Sequence, residues 1–302
     1  MRLLLYIACF ATLSCTGSAK AESPQRGPAE RADITAETAY DGESPLERWV
    51  ELGGSGERAR DQDIMRSTDH AHSGSHSIRF SVSPASKVAG GNRAEITFDR
   101  KEQPGTLGNY GWKLLIPENM PDVPLRDRKG RPNWLVIGQW HQQPRTHKGE
   151  NWEAFKGIGE SAPVAFNYLH LAPDDPDTAR FMADARQRKL PGFSDDLVGQ
   201  SVLVLAAGTP PQTVAIHPIN KGTWYTIRTS ILWSTDDRGT VQAWVDDQAM
   251  LSEPLAGPNM WNEASHYFKL GIYRNPDLTH TTTIYIDDVW MHTGRMPGRR
   301  QP

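Results

Sequence analysis

The chain has 302 residues, of which 37% are hydrophobic and 23% charged, and a formal net charge of -3. That composition suits a globular chain and excludes collagen-like, disordered and integral membrane classes. The acidic balance offers no general basic face for nucleic acid. Cys9 and Cys15 are the only cysteines. Beyond Cys15, disulfide frameworks, cysteine-ligated zinc and thiol nucleophiles are therefore excluded.

Residues 1–21 predict a secretory signal peptide. Arg2 supplies a positive start, Leu3 to Leu13 an apolar run, and Ala19-Lys20-Ala21 a small-x-small cleavage site. The run falls short of the ~20 apolar residues that span a bilayer. The expectation is a secreted or periplasmic protein with no transmembrane segment. Cys15 would be the acylated residue of a lipoprotein, but Thr12-Leu13-Ser14 is a poor box for it. Residues 22–37 are polar, carry Pro24 and Pro28, and read as a flexible segment.

Short alternating runs follow. Ser77 to Val82 puts Ile78, Phe80 and Val82 on one face and Ser77, Arg79 and Ser81 on the other, the period-two signature of a half-buried strand. Similar runs occupy 93–98, 110–116, 134–141, 163–171, 202–206, 212–217, 224–233, 240–246, 266–274 and 283–291. Strands without interleaved long helices predict an all-β antiparallel sandwich. Val241 to Val245 followed by Asp246-Asp247 reads as a hairpin. One helix is expected at 177–189, capped by Asp177 or Thr178. It sits in an insertion over 172–200. Residues 38–294 read as a single domain, with 295–302 as a tail.

Three strands send chemically capable groups to one side. Asn92 to Phe98 aims Arg93, Glu95 and Thr97 away from Ala94, Ile96 and Phe98. Ile137 to His141 places Gln139 and His141 on one face. Tyr267 to Arg274 sets Tyr267, Lys269 and Tyr273 opposite Phe268, Leu270 and Ile272. The set contains no carboxylate pair and no Ser-His-Asp pattern. It suits β-elimination on a uronic acid polymer. The C5 proton there is very weakly acidic until the neighbouring carboxylate is neutralised. Arg93 can supply a bidentate ion pair, and Gln139 an amide hydrogen bond. His141, with an unperturbed pKa of ~6.5, is a candidate base. Tyr273 is a candidate acid, or the base for one substrate stereochemistry, with Lys269 and Arg274 as neighbouring cations.

At these residues the chain resembles the jelly-roll polysaccharide lyases, most closely the group containing glucuronan lyase (polysaccharide lyase family 20) and heparin lyase I. The landmarks are Asn92-Arg93-Ala94-Glu95, Tyr110-Gly111-Trp112, Gln139-Trp140-His141, Trp224-Tyr225, Tyr267 to Arg274 and Ile284 to Val289. They run in the family's order across roughly residues 38–292. Alginate lyases of the same fold carry a related set, but with Asn-Gln where Arg274 follows Tyr273 here. That difference favours glucuronan, with a heparin-like chain or alginate as alternatives.

The resemblance implies a concanavalin-like sandwich of two antiparallel sheets with a concave groove. It implies elimination leaving a 4,5-unsaturated uronate end, with no cofactor required for the chemistry; an open groove would favour endo action, and the 172–200 insertion could close one end. Carried over by position, it assigns His141, Tyr273, Gln139 and Arg93 to catalysis. Lys269, Glu95, Arg274, Tyr267 and Asn167 go to substrate binding. A structural calcium is expected at Asp287 and Asp288, with Asp41 or Glu43 nearby. His170, Trp152, Arg145 and Lys148 lie in segments that could line the cleft. The expected partner is an acidic polysaccharide and the expected state a monomer. A non-catalytic carbohydrate-binding sandwich would not need His, Tyr and a carboxylate neutraliser together. A sandwich glycoside hydrolase would need a carboxylate pair, and its Glu-x-Asp-x-x-Glu run is missing.

Overall fold

The structure is a computed structural model that describes residues 33–40, 42–43, 63–88, 91–127, 129–130, 133–155 and 162–295. The predicted leader, Asp41 and residues 296–302 lie outside them. Fifteen strands are defined. They are β1 (Asp33–Tyr40), β2 (Ile64–Ser67), β3 (Ser77–Val82), β4 (Asn92–Glu102), β5 (Thr106–Leu115), β6 (Leu135–His141), β7 (Val164–His170) and β8 (Ser201–Ala207). The rest are β9 (Gln212–Ile219), β10 (Trp224–Leu232), β11 (Thr240–Val245), β12 (Gln248–Ala249), β13 (Leu255–Ala256), β14 (His266–Arg274) and β15 (Thr282–Arg295). Two short helices, α1 (Trp152–Phe155) and α2 (Pro176–Gln187), complete the set with brief 3-10 turns.

All pairings between strands are antiparallel. One sheet runs β12-β11-β10-β5-β15-β3-β2, with β1 added to β15 and β13 to β11. The other runs β4-β14-β6-β7-β8-β9. This is the expected all-β jelly roll. Between the sheets lies an aromatic core. Phe268 stacks on Trp140 at 4.6 Å and on Phe98 at 5.3 Å, and Trp112 meets Phe166 edge-on at 5.5 Å. Each of these rings is essentially inaccessible, so burial rather than propensity holds the sandwich together.

Every strand expected from alternation is present. The hairpin is present too: β11 turns into β12 through Asp246 and Asp247, both at positive φ, as a two-residue turn requires. Two expectations need correction. β1 begins at Asp33, inside the segment read as flexible, because it gains a full ladder along β15. The helix starts earlier than expected. Asp175 is its cap, accepting from the Asp177 amide, and Pro176 follows at the first helical position. The 172–200 insertion is a folded unit. Met182, Ala185, Leu190 and Leu197 join the hydrophobic core cluster. Its hydrogen bonds run to β9 (Ile216 amide to the Pro191 carbonyl) and to Leu171 at the end of β7.

Candidate active site

β4, β14 and β6 are neighbours, and together they assemble the three sequence motifs. Ala94, Ile96, Phe98, Trp140, Phe268, Leu270 and Ile272 are buried in the core. Strand alternation turns Arg93, Glu95, Gln139, His141, Tyr267, Lys269 and Tyr273 to the opposite, outer face. Tyr273 lies opposite Arg93 and Gly271 opposite Glu95. Lys269 lies opposite Gln139, and Tyr267 opposite His141.

Glu95 is the hub. Its Oε1 accepts from Gln139 Nε2 at 2.5 Å, and its Oε2 from Lys269 Nζ at 2.6 Å. Arg93 Nη1 stands 3.6 Å from the same Oε2. Glu95, Gln139 and Lys269 are all buried. Burial pushes the Glu95 carboxyl up, but the Lys269 and Arg93 charges outweigh it and hold the group below its ordinary range. Glu95 and Lys269 were expected to touch substrate. Their polar atoms are instead spent on each other, so they position the site from beneath. Two cations against one carboxylate leave the cluster one positive charge in excess. That surplus matches a single uronate carboxylate.

Arg93 is the cation closest to solvent. Its guanidinium lies 4.2 Å above the Tyr273 ring, a cation–π contact, and its Nε has no partner among the described residues. That Nε is itself buried, while the side chain as a whole keeps 15% of its surface exposed. Room for the guanidinium comes from Gly91, where a Cβ would sit 2.5 Å from Arg93 Nη2. Sequence reading missed Gly91, since only the folded Arg93 reveals the need. Gly271 has φ +131, and a Cβ there would meet the Ala94 carbonyl oxygen at 2.3 Å. The close approach of β14 to β4 at Glu95 therefore requires glycine.

His141 stacks on Tyr267 at 5.3 Å and meets Trp152 edge-on at 5.8 Å. Its Nδ1 is 2.7 Å from the Gln142 carbonyl oxygen. A carbonyl only accepts, so Nδ1 carries the proton and the neutral ring presents Nε2 as a base. Burial, then the Lys269 charge, push its pKa from 6.5 down to about 4. Unlike the isolated side chain, His141 is neutral across the whole mildly acidic range. If turnover needs the neutral ring, the acid limb of kcat/KM is expected near pH 4. A pH profile with its acid limb near 6.5 would contradict this placement.

Between the levels of His141 and Tyr273, β6 runs five residues, from His141 to Val136, or about 16 Å of strand. The two groups flank the Glu95 cluster and do not touch. The charges of Lys269, Glu95 and Arg93 all act on His141, which puts it at the cluster's margin. Asn167, half-buried, shares the Tyr273 row, two strands away across Val136. Arg145 and Lys148 are bound in ion pairs, Arg145 to Glu150 and Glu263, Lys148 to Glu263. His170 turns to Ser201, with Nδ1 3.4 Å from its Oγ, and to Asp122.

One assignment is corrected. Arg274 was expected to bind substrate. Alternation turns it away from Tyr273, and it is fully buried. It donates to Asn92 Oδ1 and to the carbonyls of Leu278 and His280, pinning the turn after β14. The cation over Tyr273 is Arg93. Asp287 and Asp288, the expected calcium ligands, are engaged in hydrogen bonds within the protein, and Asp41 lies outside the described residues. Asp287 Oδ1 accepts from the Gly42 and Asp288 amides and Oδ2 from the His72 and Ser73 amides. Asp288 is bonded to His72 Nδ1 and Ser73 Oγ, and Glu43 to the Ser75 and His76 amides. Among the described residues no group of three or more His, Cys, Asp or Glu could hold a metal.

Fold and site define a β-sandwich whose outer sheet face carries a net-cationic cluster between His141 and Tyr273. The chain belongs to the polysaccharide lyase family: the family model described as "Polysaccharide lyase" matches residues 38–290. It is thus a polysaccharide lyase. No curated protein matches the chain. Among solved structures, it is similar to an endo-beta-1,4-glucuronan lyase from the fungus Trichoderma reesei, at 14% identity and TM-score 0.51, over 82% of this chain and 94% of that one. The alginate lyase Aly36B matches at 10% identity and TM-score 0.49, over 88% of this chain and 100% of that one. An exolytic alginate lyase, AlyA5 from Zobellia galactanivorans, matches at 11% identity and TM-score 0.48, over 86% and 100%. Identities this low speak to the fold alone. No helix among the described residues is long and apolar enough to cross a membrane.

Proposed function

We propose that the protein is an endo-acting uronan lyase, with glucuronan as its substrate, exported by its leader. The observation that carries this reading is the buried Glu95 cluster, with one positive charge in excess, set beside Tyr273. A hydrolase would need a carboxylate pair, and the one central carboxylate here is fully engaged. Arg93 pairs with the substrate carboxylate and stabilises the enolate-like intermediate. The C5–H bond breaks and its proton passes to a base. The C4–O bond then breaks, a C4=C5 double bond forms, and the departing oxygen takes up a proton. In β-1,4-linked glucuronate the C5 proton and the C4 oxygen leave from the same face. One group beside the carboxylate anchor can make both transfers, and Tyr273, in contact with Arg93, is that group. The neutral His141 contacts the sugar from the other side of the cluster. Glucuronan is also what the Trichoderma reesei lyase of similar fold acts on. For a C5 epimer the proton lies on the opposite face, and His141 becomes the base.

The test is ultraviolet absorbance of the full chain with glucuronan, heparin, heparan sulfate, alginate and hyaluronan. Only elimination yields the conjugated unsaturated uronate. Glucuronan is expected to give the fastest rise. On glucuronan, Tyr273→Phe is expected to lose at least ~1,000-fold in kcat, and His141→Asn ~10–100-fold. The reverse order would move the base to His141. Absence of any rise would remove the uronan reading.

A further inference from the structure

We infer that Trp152 forms a sugar-stacking subsite at the lip of the groove, selective for gluco-configured uronate chains. This deepens the proposed function and rests on it. Trp152 is 47% exposed, one of only three large hydrophobic side chains so exposed among the described residues. A lone exposed leucine needs no account, but an exposed indole in contact with His141 does. Its edge meets His141, and His141 stacks in turn on Tyr267. Three rings thus continue outward from the Glu95 cluster.

The segment that presents Trp152 is rigidly built. Gln142 Nε2 donates to Asn262 Oδ1 at 2.7 Å, and Gln142 Oε1 accepts from the Trp261 amide at 3.1 Å. Gln143 Nε2 donates to the Ser265 carbonyl at 2.8 Å. Arg145 closes the turn through Glu150, whose other oxygen accepts the Arg145 amide at 2.8 Å. Residues 142–150 are thereby clamped to 261–265, the lead-in to β14, and Trp152 follows two residues later. The backbone leading into Trp152 is braced, and the indole edge rests on His141. Arg145 and Lys148 are paired with Glu150 and Glu263 beside it.

An indole face binds a pyranose through its apolar C–H surface. A β-1,4-glucuronate ring carries all its substituents equatorially, so both faces present axial hydrogens. Mannuronate's axial hydroxyl breaks that surface on one of its two faces, and guluronate's axial oxygens break it on both. Stacking on Trp152 therefore favours the gluco configuration.

The test pairs kinetics with binding. On glucuronan polymer, Trp152→Ala is expected to raise KM about tenfold with kcat within about twofold, and Trp152→Phe to recover most of the loss. On alginate, the rise in KM from Trp152→Ala should be smaller than on glucuronan. In the Tyr273→Phe background, glucuronan oligosaccharides should change tryptophan fluorescence, and Trp152→Ala should abolish the change. Glucuronan cleavage with a KM indifferent to Trp152 would overturn the subsite and leave the function standing. Failure to cleave or bind any uronan would remove both.

Discussion

Lys269→Met is expected to destabilise the protein by about 3–5 kcal/mol, because it strips one partner from a buried ion pair. Glu95 would keep its charge in a site closed to water, with only Arg93 opposite at 3.6 Å. For a domain of this size the melting temperature should fall by roughly 10 °C. The double variant Glu95→Gln/Lys269→Met removes both charges. It should regain much of the stability, since an apolar replacement for a buried pair is often neutral, yet remain inactive. Thermal unfolding of the two variants beside the parent decides the matter. A single-variant loss below ~1 kcal/mol would mean that water reaches Glu95 and that the pair is not a buried hub.

Arg93→Ala is expected to cost ~100–1,000-fold in kcat/KM, the scale of removing one preorganised donor from a developing negative charge. Two effects act together. The guanidinium that meets the substrate carboxylate is lost, and the cluster falls from a surplus positive charge to neutrality. Arg93→Lys restores the charge but neither the forked donors nor the flat contact with Tyr273, so it should recover only part of the activity. Because Arg93 is the least buried member of the cluster, the fold should survive both changes. Full activity in Arg93→Ala would place the carboxylate anchor elsewhere.

Much of this was legible before folding was considered. Alternation in Asn92 to Phe98 and in Tyr267 to Arg274 assigns each residue to a face, because successive side chains on a strand point opposite ways. The same rule should have turned Arg274 away from Tyr273. Its charge suggested the groove instead, and only the packed turn supplies the carbonyls of Leu278 and His280 that make its burial tolerable. β1 was missed for a related reason. A polar strand gains its hydrogen bonds from β15, some 250 residues later, and no local pattern reports that partner.

By itself, then, the sequence determined eleven of the strands, most of their inner and outer faces, the Asp246-Asp247 turn and the chemical inventory of the site. All of these follow from local periodicity and residue type. Tertiary structure alone decided that β14 lies between β4 and β6 and that Glu95 gathers Gln139, Lys269 and Arg93. It alone set His141 and Tyr273 on opposite sides of that hub and submerged Lys269. Register between distant strands is a non-local choice, set by how two whole faces pack. The burial that tunes a charge exists only once they have.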